Sequence, residues 1–154
     1  MSLTDSILNY RRSLKRKNYS KYTLRNYMNT LKQFVLWLDV PIEKVTHKTL
    51  LAFIDHLLDQ RLKPKTINCY LTSIRGFYDY LIHEEGVAVT NPVKRGYSLR
   101  LSRPLPRFLR DEHVSRLFDV IDSPRDRAIF KLMLRCGLRV EEVANLTLAA
   151  VDLR

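Results

Sequence analysis

Apolar residues recur at spacings of three and four in four successive stretches of the first 90 residues, which is the period of an amphipathic α-helix. This pattern predicts helices over 5–17, 21–38, 47–58 and 64–85. Residues that favour helix starts precede or open them: Thr4, Ser20 and Thr46 as N-caps, and Pro64 in a first turn. Four short amphipathic helices joined by loops of a few residues predict a compact bundle.

The positive charge of the chain is concentrated in its first 110 residues. They hold 20 Lys and Arg against 8 Asp and Glu, residues 111–154 hold 7 against 8, and the whole chain carries +11. A basic block of this size indicates a nucleic-acid partner. An anionic membrane surface is the rival interpretation, but the apolar runs are too short to span a bilayer, and we expect no membrane partner.

A basic segment marks the clearest predicted domain boundary. The sequence VKRGYSLRLSRPLPRFLR, residues 93–110, comes directly after Asn91-Pro92 and contains no carboxylate; its six cations are Lys94, Arg95, Arg100, Arg103, Arg107 and Arg110. Six cations without an anion repel one another unless a polyanion lies alongside. The alternative is a solvated linker that is merely basic. The predicted organisation is a helical DNA-binding domain over 1–92, a basic linker over 93–110 and a second unit over 111–154.

The second unit is also predicted to be helical, which makes the fold class all-α. One helix begins at Asp111, another runs from Pro124 to a stop at Gly137, and a short third helix lies in LRVEEVANL. A 44-residue unit has a marginal core by itself.

Polar residues form a stripe on two of the predicted helices. Helix two presents Tyr22, Asn26, Asn29 and Gln33, with Thr23 and Arg25 beside them. The outer face of helix four presents Lys65, Cys69, Thr72, Ser73 and Gly76, and Lys63, Thr66 and Arg75 are further candidate DNA contacts. Amide side chains bond to adenine edges, and cations bind guanine or phosphate. We expect Thr23, Arg25, Lys65 and the linker arginines to contact phosphates, and Asn26, Asn29 and Cys69 to face bases. The alternative is that both stripes are ordinary solvated faces.

A Gly-Leu-Arg turn in the second unit places Arg139 three residues before Glu142, on one helical face. A guanidinium there could grip a phosphate at two points, with the carboxylate steadying it. The spacing alone equally suits a local ion pair between the two side chains.

Other kinds of site find no support in the sequence. Cys69 and Cys136 are distant and lie within apolar helical patterns, so we expect reduced, buried or half-buried thiols and no metal site. We expect no cofactor. The first ten residues, MSLTDSILNY, lack the features of a secretory signal, and we expect a cytoplasmic protein.

Four segments of the chain resemble tyrosine recombinases of the phage-integrase and Xer type. In chain order they are SKYTLRNYMNTLKQFVLWL, LKPKTINCYLTSIRGFYDYLI, LPRFLRDEHVSRLF and RDRAIFKLMLRCGLRVEEVANLTLAAVDL. The last is the most specific. The resemblance implies a SAM-like core-binding bundle followed by the start of a catalytic domain. It also implies that Arg139 is the first catalytic arginine and that Glu142 supports it. Ala150 departs from the family, which often has an acidic residue there.

The resemblance implies site-specific recombination of duplex DNA through a 3′-phosphotyrosine, with protomers that self-associate on the DNA. The family's tyrosine nucleophile and its other catalytic residues lie beyond the part that this sequence matches. We therefore expect the 154-residue chain to bind duplex DNA without cleaving it. The alternatives are a non-catalytic DNA-binding remnant and a helical module that binds an acidic protein partner.

Overall fold

A computed structural model describes residues 2–102, 105 and 108–150, and the chain divides into two compact units, Met1–Arg103 and Pro104–Arg154. The first unit contains helices α1 Leu3–Arg16, α2 Lys21–Trp37, α3 His47–Asp59 and α4 Pro64–His83, with a 3₁₀ turn at Ile42–Lys44. The second contains α5 Asp111–Asp119, α6 Pro124–Cys136, α7 Val140–Ala144 and a 3₁₀ turn at Leu148–Ala150. Within these described ranges there is no β-strand, which confirms the all-α prediction.

Local capping explains where the helices of the first unit begin. The Ser20 hydroxyl accepts a hydrogen bond from the Thr23 N–H at 3.1 Å, and Thr46 and Thr49 form a capping box. Helix α1 begins at Leu3 instead of Asp5, because Ser2, and not Thr4, is the cap. The Ser2 hydroxyl accepts from the Asp5 N–H at 3.2 Å.

The core of the first unit lies where the apolar faces of its four helices meet. Helix α4 packs against α1 and α2, and the Phe34 and Phe53 rings meet edge to face at 5.0 Å between centroids, joining α2 to α3. The Tyr78 hydroxyl donates to the Ile42 carbonyl at 2.8 Å, so the one polar atom of this fully buried ring is satisfied. The largest fully buried side chains are Tyr78, Phe34, Phe53, Phe77, Leu31, Leu50, Ile67 and Ile74.

The first residues of the predicted linker pack on the bundle. Val93 is 2% exposed, and Tyr97 and Leu99 contact the core. The Asn91 amide donates to the Arg75 carbonyl at 3.0 Å and accepts from the Val93 N–H at 3.0 Å. The segment 93–99, which the sequence assigned to the basic linker, therefore packs on the first unit. Composition gives the charge of this segment, but it does not indicate the hydrogen bonds between the Asn91 side chain and backbone groups.

The second unit has the three predicted helices but a thin core. None of the residues of α5, α6 and α7 is fully buried. Half-buried Val114, Leu117 and Met133 line a small apolar cleft of about 250 Å³. Gly137 ends α6 in the left-handed conformation at φ 67°, which an L-residue adopts only at a cost, as its position predicted.

The prediction of buried or half-buried cysteines was wrong, because Cys69 and Cys136 are both exposed. Cys69 lies on the outward side of α4, and Cys136 ends a helix that buries no residue fully.

Candidate nucleic-acid interface

Parts of the two polar stripes predicted from the sequence face each other across one groove, whereas Thr72 and Gly76 line another cleft and Ser73, predicted to face outward, is buried. A cleft of about 400 Å³ lies between α2 and α4, and its walls are Asn26, Asn29, Thr30, Gln33, Lys65, Thr66, Cys69 and Tyr70. Helical periodicity explains the α2 wall, because Leu24, Leu31 and Phe34 are buried and so turn the positions between them outward. The structure thus brings Asn26 and Asn29 together with Lys65, Thr66 and Cys69.

One hydrogen bond joins the two walls of this groove. The Tyr70 hydroxyl on α4 donates to the Gln33 side-chain carbonyl on α2. Partial burial raises the pKa of Tyr70 above its ordinary value, so the phenol keeps its proton and remains the donor. The bond fixes the orientation of the Gln33 amide at one end of the groove. The sequence had placed Gln33 on the polar face but gave no reason to expect its partner.

A second cleft, of about 1010 Å³, continues from Lys65 to the basic segment. It is lined by Lys65, Asn68, Ser98, Leu99, Arg100, Leu101 and Ser102. The Asn68 side chain forms two hydrogen bonds with one residue: its Nδ2 donates to the Leu99 carbonyl at 2.9 Å, and its Oδ1 accepts from the Leu99 N–H at 2.8 Å. This pairing holds Arg100 on the same cleft as Lys65. Sequence analysis missed Asn68; its only signal was its place three residues after Lys65 on one helix.

The helices that form the groove begin with cations. Helix α2 starts at Lys21, and α4 is preceded by Lys63 and has Lys65 in its first turn, with no acidic residue in either first turn. By contrast, α1 and α6 have Asp5 and Asp126 there. A cation at a helix N-terminus opposes the helix dipole, at a cost of about 0.3–1 kcal/mol. Such an arrangement is favourable beside an external anion, which both the cations and the helix N–H groups attract.

Several predicted contact residues lie away from the groove between α2 and α4. Tyr22 is 73% exposed, and the Thr23 hydroxyl is 2.9 Å from that of Ser20, within the α2 cap. Lys94 and Arg95 are exposed on the turn that comes after Val93. Lys63 is exposed beside α4, Arg25 is exposed on α2, and Arg103 lies outside the described residues.

Arg75 has a structural partner that the sequence prediction did not foresee. Its guanidinium donates to the carbonyls of Lys94 at 3.3 Å and Tyr97 at 3.0 Å, and it is half-buried. Within the described residues, its buried Nε has no hydrogen-bond partner. The contact predicted between Arg75 and DNA therefore competes with bonds that hold 94–97 against α4.

Arg139 and Glu142 of the second unit form the pair that their spacing suggested. The Glu142 carboxylate accepts from the Arg139 backbone N–H at 2.7 Å and from its Nη1 at 3.1 Å. The Arg139 side chain is 83% exposed. The carboxylate thus caps α7 and orients the guanidinium, which still presents most of its surface to solvent.

Two other features, a metal-ligand cluster and a membrane-spanning helix, are absent from the described part of the chain. It contains no group of three or more His, Cys, Asp or Glu side chains placed to hold a metal ion. None of its helices combines the length and apolar character needed to cross a bilayer.

Comparison with known proteins identifies the family. The model of the phage integrase N-terminal SAM-like domain matches residues 7–85. Tyrosine recombinase XerC of Oceanobacillus iheyensis is 32% identical over 145 residues, covering 88% of this chain and 47% of the relative. Tyrosine recombinase XerD of Pseudomonas putida is 34% identical over 146 residues, covering 90% of this chain and 49% of the relative. The chain therefore spans about half the length of these relatives.

The fold also matches a solved recombinase structure. A lambda integrase dimer bound to a COC′ core site superposes with a TM-score of 0.75 at 19% identity, over 99% of this chain and 43% of the integrase chain. Because the family model covers half of the sequence, with the Xer relatives alongside it, the chain belongs to the phage integrase family of tyrosine recombinases.

Proposed function

We propose that this chain supplies the DNA-binding part of a site-specific tyrosine recombinase and that duplex DNA lies along the groove between α2 and α4. The observation that carries the proposal is the meeting of two amide residues and a cation in that one groove, beside helices that begin with lysines. The core site in the lambda integrase structure supports a DNA partner for this fold.

Within the groove the residues divide by chemistry. Lys65 provides charge that a phosphate attracts whatever the base sequence, and Arg100 does the same on the adjoining cleft. Asn26 and Asn29 provide paired donors and acceptors that discriminate between base edges, worth about 1–3 kcal/mol for each good contact. Affinity and sequence preference therefore reside in different side chains.

The test is a salt titration on a selected duplex and a scrambled duplex. Lys65→Ala should weaken binding to both and reduce the slope of log affinity against log salt by about 0.9. Asn26→Ala should lower the preference for the selected duplex roughly 5- to 150-fold and leave the slope unchanged. Lys48→Ala is the matched control, since Lys48 is exposed on α3 and does not line the groove. Equal effects of Lys48→Ala and Lys65→Ala would refute the assignment of the groove.

For the second unit, the proposal is that Arg139 binds the scissile phosphate and that Glu142 positions it. The exposed guanidinium held by a carboxylate supports this role. In a recombinase that carries this segment, Arg139→Ala should remove covalent capture of a nicked suicide duplex and leave duplex affinity within about twofold. Undiminished capture would contradict the role. Self-association of protomers on DNA is also proposed for that recombinase; a mobility shift should then show two or more stoichiometries.

A further inference from the structure

A second groove lies on the other side of α2, against α1. It has a volume of about 610 Å³ and is lined by Leu8, Arg11, Lys15, Lys21, Leu24, Arg25, Met28 and Asn29. Its four cations come in equal numbers from the two helices, Arg11 and Lys15 from α1 and Lys21 and Arg25 from α2. Apart from Arg25 and Asn29, the sequence analysis singled out none of these residues as contacts.

The cations of this groove have no carboxylate partner in the described part of the chain. Residues 6–38 contain eight Lys and Arg and no Asp or Glu. Within the described residues, none of the groove's four cations forms an ion pair, whereas neighbouring Lys17 pairs with Glu84 at 2.8 Å. All four cations are exposed and therefore accessible to an external anion.

Helix stability accounts for only one of the four cations. Lys15 lies in the last turn of α1, where the helix dipole favours a positive charge. Lys21 opens α2, where the dipole opposes it. Arg11 with Lys15, and Lys21 with Arg25, are like-charge pairs four residues apart, a spacing that destabilises a helix.

The grooves on the two sides of α2 adjoin at Asn29. Asn29 lines both the α1–α2 groove and the α2–α4 groove, and Lys65 lines the latter together with the cleft that contains Arg100. The three clefts are therefore neighbours on the surface, in the order α1–α2 groove, α2–α4 groove and the cleft that includes 98–102. A polyanion in the α2–α4 groove has the cations of the α1–α2 groove next to it.

We propose that the α1–α2 groove binds the sugar-phosphate backbone of the same duplex, outside the stretch contacted by α2 and α4; this rests on the proposed function. The cations of the groove bind phosphates, and Leu8 and Met28 provide an apolar surface for the deoxyribose rings. An acidic amphipathic peptide would also match the charge. The position of this groove next to the α2–α4 groove, with Asn29 in both, favours DNA.

The test compares two double variants of α1. Arg11→Gln with Lys15→Gln removes two charges from the groove. Arg12→Gln with Arg16→Gln removes two exposed charges from the same helix, away from the groove, and is the matched control. The slope of log affinity against log salt should be about 1.8 shallower for the groove variant than for the wild type. When salt rises from 50 to 200 mM, the loss of affinity should therefore be about 12-fold smaller for the variant than for the wild type. The control should retain nearly the full slope.

Each result separates the inference from the function on which it rests. Two outcomes would overturn the inference and leave the proposed function intact. One is an equal salt slope for the two double variants, and the other is an unchanged salt slope for the groove variant while the slope for Lys65→Ala is still reduced by about 0.9. Absence of salt-dependent duplex binding by the wild-type chain would overturn the proposed function itself. If the groove variant keeps duplex affinity but loses binding to a poly-glutamate peptide, the groove binds acidic protein instead of DNA.

Discussion

Asn68 is the residue whose replacement most directly tests how the basic segment is held. Its side chain makes two hydrogen bonds to Leu99, of 2.9 and 2.8 Å, and both are partly buried. A hydrogen bond of this kind contributes about 0.5–1.5 kcal/mol, so Asn68→Ala removes about 1–3 kcal/mol from the docking of 98–102. Since each 1.4 kcal/mol is a factor of about ten, local opening should become about 5- to 150-fold more frequent.

Amide hydrogen exchange at Leu99 measures that opening directly, because the Leu99 N–H is the donor to Asn68. Exchange at Leu99 should accelerate by the same factor in Asn68→Ala, and amides of the α4 core such as Ile74 should be unchanged. Thr72→Ala is the matched control: the Thr72 hydroxyl donates to the Asn68 carbonyl within α4 and not to the segment. Duplex affinity should fall in Asn68→Ala while the salt slope stays constant, since every cation remains. An unprotected Leu99 amide in the wild type, or the same exchange rate in both proteins, would refute the reasoning.

Two further predictions concern the contacts of α1 with α4 and with Glu84, the residue that caps the C-terminus of α4. A methyl group on Gly76 would lie 2.7 Å from the Tyr10 hydroxyl oxygen, which is an overpacked contact. Gly76→Ala should therefore lower the free energy of unfolding in urea by up to about 2 kcal/mol, because the better helix propensity of alanine offsets part of the overpacking cost. In a Tyr10→Phe background the same change should be neutral or stabilising; additive effects would refute the contact. Lys17 and Ser13 donate hydrogen bonds to Glu84 and lower the pKa of its carboxyl below the ordinary value. The stabilisation that Glu84 contributes to the folded state is therefore complete above the ordinary glutamate pKa, and it is lost as the pH falls through the lowered pKa of Glu84. Glu84→Gln should therefore differ from wild type in unfolding free energy near neutral pH and converge with it in acid, and a constant gap across that range would contradict the assignment.

The elements of this fold that sequence predicted well depend on local rules. Helices α2, α3 and α4 begin at or next to their predicted starts because caps and apolar periods involve residues three or four positions apart. The same locality made the Arg139–Glu142 pair foreseeable, since its members are three residues apart. Local rules also assigned Asn26 and Asn29 to an outward face of α2.

Tertiary structure alone decided what those faces meet. Parts of the α2 and α4 stripes form one groove because the buried faces of both helices turn into the same core, and no spacing within either helix specifies that pairing. Likewise, the packing of α1 beside α2 placed Arg11 and Lys15 on a groove that the charge count could not locate.

The clearest limit concerns the segment after Pro92, which composition described as a basic linker and which the structure docks on α4 through residue 99. Asn68 and Arg75 dock it by bonding to backbone groups of Lys94, Tyr97 and Leu99, residues 19 to 31 positions away. Every residue carries a backbone carbonyl, so the residue type does not indicate which carbonyl a distant side chain will bond. The sequence determined the helices, their faces and the charge. Only the packed chain could determine these long-range partners, because they are fixed by proximity in space and not by residue type.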